Sequence, residues 1–236
     1  GKSIVILDAG PPPATPYSHS AHASILSFEF SHKKQRIFVN CGSASGDCKS
    51  SEGITDVART TAAHTALVIG NTNSAQLRKD GVIGRGAEWV HYKRNEGDQG
   101  IWLDLEHDGY QRRFGLKQRR RIFLSDDGLD LRGEDSLYPF EERFNLSHLH
   151  GRNADIRFHL HPAIEATPTQ DGAAAILRLP DKSGWMFRAR GATLAIDNSL
   201  YIDGDGTMHR TKQLVLTLPI NELPLSINWS LKAMTH

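Results

Sequence analysis

The 236-residue chain has little of what usually fixes a protein's class at first reading. There are two cysteines, Cys41 and Cys48, bracketing GSASGD. Two thiols make no disulfide framework and no CxxC zinc pattern. A single loop disulfide and two free thiols are both open, so the redox compartment is not fixed. Net charge is almost nil, with 28 Lys and Arg against 27 Asp and Glu. That gives no general case for a nucleic-acid partner or for adhesion to an anionic membrane. The longest apolar runs are of strand length, so no membrane insertion is expected. No secretory leader is visible. The opening GKSIVILDAG already reads as a strand running into a turn. The chain is therefore expected to be a piece of a longer protein, and periplasmic and cytoplasmic locations both stay open.

Long amphipathic helices are lacking as well. In their place are short alternating or β-branched runs separated by Gly, Pro, Asn and Asp. They include SIVILDA (3–9), ILSFEF (25–30), QRIFVN (35–40), HTALVIG (64–70), EWVHYK (88–93), IWLDLEH (101–107) and RRRIFLS (119–125). LDLRG (129–133), DIRFHLH (155–161), AAILRLP (174–180), GWMFRAR (184–190), SLYIDG (199–204), KQLVLTL (212–218) and LSINWSL (225–231) follow. So many short strands with regular turn signals predict an all-β fold: one antiparallel, multi-stranded sandwich of supersandwich-like form over 1–236. SHKK (31–34), SDDG (125–128) and IDGDGT (202–207) read as hairpin turns. Asp203 and Asp205 lack the glutamate and flanking helices of an EF-hand. Two stretches differ in kind. GPPPATPYSHSAH (10–22) is extended by its prolines and leads into a strand. The polar segment 41–63 is long for a loop, which suits function or docking.

Twelve histidines raise the prior for metal or acid–base chemistry. His22, Asn40 and His64 each fall at one end of a predicted strand. A hairpin over 25–40 returns Asn40 to the level of His22, and a neighbouring strand brings His64 alongside. Two imidazoles and an oxygen suit Zn2+ or a similar cation, although an amide is a poor replacement for a carboxylate. The alternative is a trio joined by hydrogen bonds or a water.

The same residues carry a resemblance. SAHASILSFEF (20–30), FVNCG (38–42) and AAHTALVIG (62–70) resemble the C-terminal β-sandwich of the heparinase II/III family of polysaccharide lyases. That family shows His-Ala-His-Ala-Asp, a Leu-Ser-Phe-Glu strand, a hairpin ending in Val-Asp-x-Gly, and later Ala-His-Asn-Thr. HDGYQRRFGLKQRRRIFLSDDG (107–128), LRGEDSL (131–137) and RFHLHP (157–162) extend the likeness along nearly the whole chain. The resemblance implies an N-terminal α-helical toroid, absent from this sequence, with an acidic polysaccharide in the cleft between the two parts. It implies β-elimination on a uronic-acid polymer: the sugar carboxylate is neutralised, a base takes the C5 proton, and an acid protonates the oxygen leaving C4. It also implies a structural zinc on His22, Asn40 and His64, with asparagine in place of the family's aspartate. The family's catalytic first histidine falls on Ser20, and its Asp after the second histidine falls on Ser24. A serine needs an activating partner to act as a base. His19, next in sequence, is the substitute, although neighbours on an extended segment point opposite ways.

Further candidates lie downstream. Tyr110 is a possible acid–base group, with His107, Arg112 and Arg113 as substrate-binding companions; the other reading is a structured turn around a packed tyrosine. The basic run 112–121 suits carboxylate or sulfate, or pairs with the acidic stretch 126–135 on the next strand. On a strand, Arg119 and Arg121 share one face and Arg120 takes the other. His159 and His161 share a face and read as hydrogen-bonded rather than metal-binding. Trp89, Trp102, Trp185 and Trp229 are expected in the core. Three functional readings follow: the sandwich half of a lyase, inactive as a fragment; a catalytically degenerate module that binds an acidic glycan; or an architectural partner for the toroid.

Overall fold

Apolar–polar alternation with period two lets a chain present one face of each strand to a core and the other to water. Here it builds two antiparallel sheets packed face to face. The computed structural model describes residues 2–43 and 53–234. In chain order the strands are β1 (Ser3–Leu7), β2 (Phe28–His32), β3 (Gln35–Val39), β4 (Leu67–Ile69), β5 (Val90–Gly97), β6 (Gly100–His107), β7 (Leu116–Ser125) and β8 (Asp130–Pro139). They continue as β9 (Asn153–Leu160), β10 (Glu165–Pro168), β11 (Ala174–Arg178), β12 (Gly184–Arg190), β13 (Thr193–Ile202), β14 (Met208–Pro219) and β15 (Leu225–Ala233). Two short helices, α1 (Ile54–Ala58) and α2 (Gln111–Phe114), occupy connections.

The first sheet runs β1-β2-β3-β9-β14-β13, with β4 also on β9; the second runs β10-β11-β12-β15-β8-β7-β6-β5. Every segment expected to be a strand contains one. The sequence reading missed β10, whose four residues lie at a sheet edge where Pro168 removes no needed ladder bond. It also placed the start of β2 too early, because Leu26 takes φ +58° and breaks the extended run.

The core is aromatic. Phe28, Phe30, Phe38 and Phe158 of the first sheet meet Trp185, Phe187 and Trp229 of the second. Phe28 stacks on Trp229 with centroids 5.6 Å apart and planes 7° from parallel. Gly133 lies opposite Trp229 in the ladder, and a Cβ there would run into the indole. Trp185 and Trp229 are core residues as expected. Trp102 is not: it is 41% exposed on the outer face of β6.

One charged pair lies inside. Arg120 of β7 and Asp135 of β8 face each other in register, and both side chains are fully buried. Arg120 Nε donates to Asp135 Oδ1 at 2.7 Å and Nη2 to Oδ2 at 3.1 Å. Gln118 Nε2 and Trp229 Nε1 donate to the same carboxylate. The expected pairing of basic and acidic runs thus holds for Arg120 with Asp135 and, at 3.9 Å, for Arg121 with Glu134. Arg119 turns instead to Asp104 of β6.

Candidate functional site

Two strands share one edge of β9. Phe38 and Val39 of β3 pair with its end, Leu160 and His159; β4 pairs further back, with Ile156 to Ala154. The chain therefore leaves β3 and later enters β4 at the same place, which brings Asn40 beside 64–66. The sequence reading expected a strand starting at His64 next to the hairpin. The structure instead sets β4 in line with β3, with the strand starting at Leu67. Backbone groups lock the junction: Cys41 N–H donates to Ala63 O at 2.9 Å and Arg157 N–H to Ala66 O at 3.1 Å. The segment before β2 is tied to it by Ala23 N–H to Arg59 O at 2.9 Å and Thr61 Oγ1 to Ala23 O at 2.7 Å. From behind, Arg120 Nη1 donates to both Leu26 O and Thr65 O at 2.7 Å. A single guanidinium of the second sheet thus holds both approaches of the first.

His22, Asn40 and His64 line one depression. His64 Nδ1 lies 2.7 Å from Thr60 O, an acceptor, so Nδ1 carries the proton and Nε2 is bare. Nε2 is 2.9 Å from His22 Nδ1, which must then be the donor. Burial, followed by the neighbouring His22, pushes His64 down to about 3. Burial and the Arg59 guanidinium lower His22. Both rings are neutral near pH 7. Asn40 Oδ1 accepts Thr65 N–H at 2.9 Å. Two carboxylates that the sequence reading did not consider share the depression. Asp8 accepts Ser24 Oγ at 2.7 Å, and Glu29 accepts Asn40 N–H at 3.1 Å and Arg36 at 3.3 Å. Asp8 directly follows β1 and Glu29 points outward from β2, so strand parity was the signal that could have found Glu29.

With an amide in place of a carboxylate, this is a weak donor set for zinc. His22 Nδ1 and His64 Nε2 face each other at 2.9 Å, whereas the Asn40 amide brings no charge and already accepts an N–H. Among the described residues, no three His, Cys, Asp or Glu side chains are grouped to hold an ion.

The remaining candidates scatter. His19 and Ser20 are exposed on a turn that Arg59 pins from below, donating to Ala21 O at 2.8 Å and Ser18 O at 3.2 Å. Neither is among the residues lining the His22 depression. The expectation of a catalytic Tyr110 is corrected: its ring is fully buried and its hydroxyl donates to Leu67 O at 2.7 Å, with burial raising its pKa. His107 is corrected as a substrate contact too. It is fully buried, 3.0 Å from Gln118 Oε1, and accepts Gly109 N–H at 2.9 Å. Only Arg112 and Arg113 of that group reach solvent, beside a second, polar depression that also has Arg85, Glu88 and Asp108. His159 is buried between Ser199 Oγ at 2.7 Å and Ala62 O at 2.9 Å, and Cys41 Sγ lies 3.4 Å from its Nδ1. Cys48 lies outside the described residues.

Comparison with known proteins places this geometry. The chain is 32% identical to FtsZ-localized protein C of Caulobacter vibrioides over 236 residues, covering 98% of this chain and 41% of that protein. Heparan sulfate lyase HepC from Pedobacter heparinus superposes with a TM-score of 0.76 at 14% identity, over 99% of this chain and 33% of the lyase. Heparinase III gives a TM-score of 0.71 at 16% identity over 98% of this chain, again 33% of that chain. The chain thus spans less than half the length of these relatives, and the two structural likenesses speak to fold alone. The family model for the heparinase II/III-like C-terminal domain matches residues 1–230, and the chain belongs to that family.

Proposed function

We propose that this domain is a catalytically silent member of its family: in the whole protein it holds an acidic polysaccharide alongside an N-terminal α-helical toroid and breaks no glycosidic bond. One observation carries this reading. β-Elimination on a uronate needs positive charge at the sugar carboxylate and a base at C5. The depression around His22 and His64 offers two neutral imidazoles bonded to each other and two carboxylates, Asp8 and Glu29. Among the described residues, the lining of this depression offers no cation to a uronate carboxylate. The position that resembles the family's catalytic histidine is Ser20, a hydroxyl that needs an activating partner to act as a base.

The competing reading, a working lyase, is favoured by the fold shared with heparan sulfate lyase HepC and heparinase III. It requires the rest of the protein to supply base, acid and cation together. The two readings separate in one experiment. Full-length protein is incubated with heparan sulfate, chondroitin sulfate, alginate and polygalacturonate while ultraviolet absorbance of a C4–C5 double bond is followed. No gain in absorbance is expected, with retention of at least one polymer in affinity electrophoresis. Sustained absorbance growth on any polymer overturns the proposal.

A further inference from the structure

The outward face of the second sheet gathers cations. β12 turns Trp185 and Phe187 into the core and Met186, Arg188 and Arg190 outward. Ladder register carries that face across the neighbouring strands. Arg188 stands opposite Ser230, which stands opposite Arg132; Arg190 stands opposite Asn228, then Glu134, then Arg121. With Lys232 these residues line a shallow depression of about 690 Å³. The five cations oppose Glu134 in the lining and Asp130 beside it, on a chain whose net charge is only +1. Asp130 serves both Arg132 and Lys232, and Glu134 lies 3.9 Å from Arg121. Arg188 and Arg190 are exposed and neither lies within ion-pair distance of a carboxylate among the described residues, although the charge of Arg188 is felt by Asp171 before β11. Like charges concentrated on one sheet face cost stability.

We propose that this face binds a linear acidic glycan, its carboxylates or sulfates taken by the forks of Arg188 and Arg190 and its hydroxyls by Asn228 and Ser230. Guanidinium forks match planar carboxylate and sulfate oxygens. Strands sit about 4.8 Å apart and alternate residues about 7 Å apart, so the forks form an array suited to a polymer with spaced anions rather than to one small ion. A nucleic acid is disfavoured. The nearby ring, Trp102, already carries Arg121 over its face at 5.4 Å and Phe123 beside it at 4.9 Å, leaving no open platform for a base. An extended acidic peptide would seek a sheet edge, whereas these residues lie on a face. The surface differs from the His22 depression, and the proposal rests on the reading that the domain holds an acidic polysaccharide: wild type that binds no glycan overturns both, retained affinity in the variants overturns this face alone, and cleavage overturns only the silent-domain reading.

The test uses full-length protein and four labelled probes: a heparan sulfate dodecasaccharide, an oligogalacturonate carrying carboxylates only, poly-glutamate and single-stranded DNA. The Arg188→Glu/Arg190→Glu variant is expected to bind the preferred glycan at least tenfold more weakly, with a shallower salt dependence. Arg188→Gln/Arg190→Gln should fall between it and wild type. Lys33→Glu/Lys34→Glu, an equal charge change in the β2–β3 hairpin, should stay within twofold. Circular dichroism and melting temperature confirm folding of each. Retained affinity in the folded Glu and Gln variants overturns the proposal, as does the absence of glycan binding by wild type. Tighter binding to DNA or poly-glutamate than to either glycan overturns it as well.

Discussion

Replacing Asp135 with asparagine tests the tie between the sheets. Each carboxylate oxygen of Asp135 receives two donors: Arg120 Nε and Gln118 Nε2 at Oδ1, Arg120 Nη2 and Trp229 Nε1 at Oδ2. An amide keeps one oxygen and turns the other into NH2. Whichever way it flips, two buried N–H donors then face two more. The Arg120 charge stays buried with no counter-charge. Breaking a buried pair from one side costs about 3–5 kcal/mol. For a chain of this size that lowers the melting temperature by about 6–20 °C. Asp104→Asn is the matched control. It breaks the Arg119 pair, whose side chains are 35% and 30% exposed, and should cost less than about 1 kcal/mol. Urea titration followed by tryptophan fluorescence measures both. Equal costs for the two variants, or less than about 1 kcal/mol for Asp135→Asn, would refute the view that this pair holds the sandwich together.

Other consequences follow from the same contacts. Tyr110→Phe removes the donor to Leu67 O and should cost about 1–3 kcal/mol in urea, because the carbonyl is left buried and unpaired; it should leave glycan affinity unchanged. Gly133→Ala drives a methyl into the Trp229 indole and should cost about 1–3 kcal/mol, read as a lowered urea midpoint. Burial pushes His107 and His159 down to about 4 and His64 to about 3. The unfolded chain takes up these protons near pH 6.5, so stability is complete above that and is lost as pH falls toward 4, by up to about 3 kcal/mol for each group. Melting temperatures that stay flat from pH 7 to pH 4.5 would contradict this. Asn40→Asp puts a carboxylate beside His22 and His64 and should tighten zinc binding at least tenfold over wild type in equilibrium dialysis. Zinc bound tightly by wild type would show that the amide suffices.

Much of the fold was readable because strand parity is a strong signal. Arg120 shows how far that signal reaches. Its parity puts it on the same side as Leu116, Gln118 and Ile122, all of which are buried, so an inward-facing arginine could be anticipated. Its partner could be named from the register with the acidic strand. What it holds could not, because Leu26 O and Thr65 O come from connections whose paths depend on the other sheet. Tyr110 and His107 misled for a related reason. A polar group at a strand end followed by a turn looks like the rim of a cleft, but here α2 follows at once, and Tyr110, at the position before its first residue, turns its ring into the core. The trio at 22, 40 and 64 does converge, through β3 and β4 sharing an edge of β9 rather than through lateral pairing.

That difference bears on what convergence means. If an ion held the strand tips together, losing the carboxylate at position 40 would be expected to splay them. The tips are held without one: by backbone pairs at Cys41–Ala63 and Ala23–Arg59, by Asn40 on Thr65 N–H, and by the Arg120 fork behind both. Asn40 keeps the one contact the backbone needs from that position, an oxygen for Thr65 N–H, while giving up the charge a cation would need. A site supported in this way can lose its chemistry and keep its shape. The nearness of His22 and His64 therefore does not depend on a cation, and their contact with each other, with Asp8 and Glu29 in the same depression, is what the silent-domain proposal is built on.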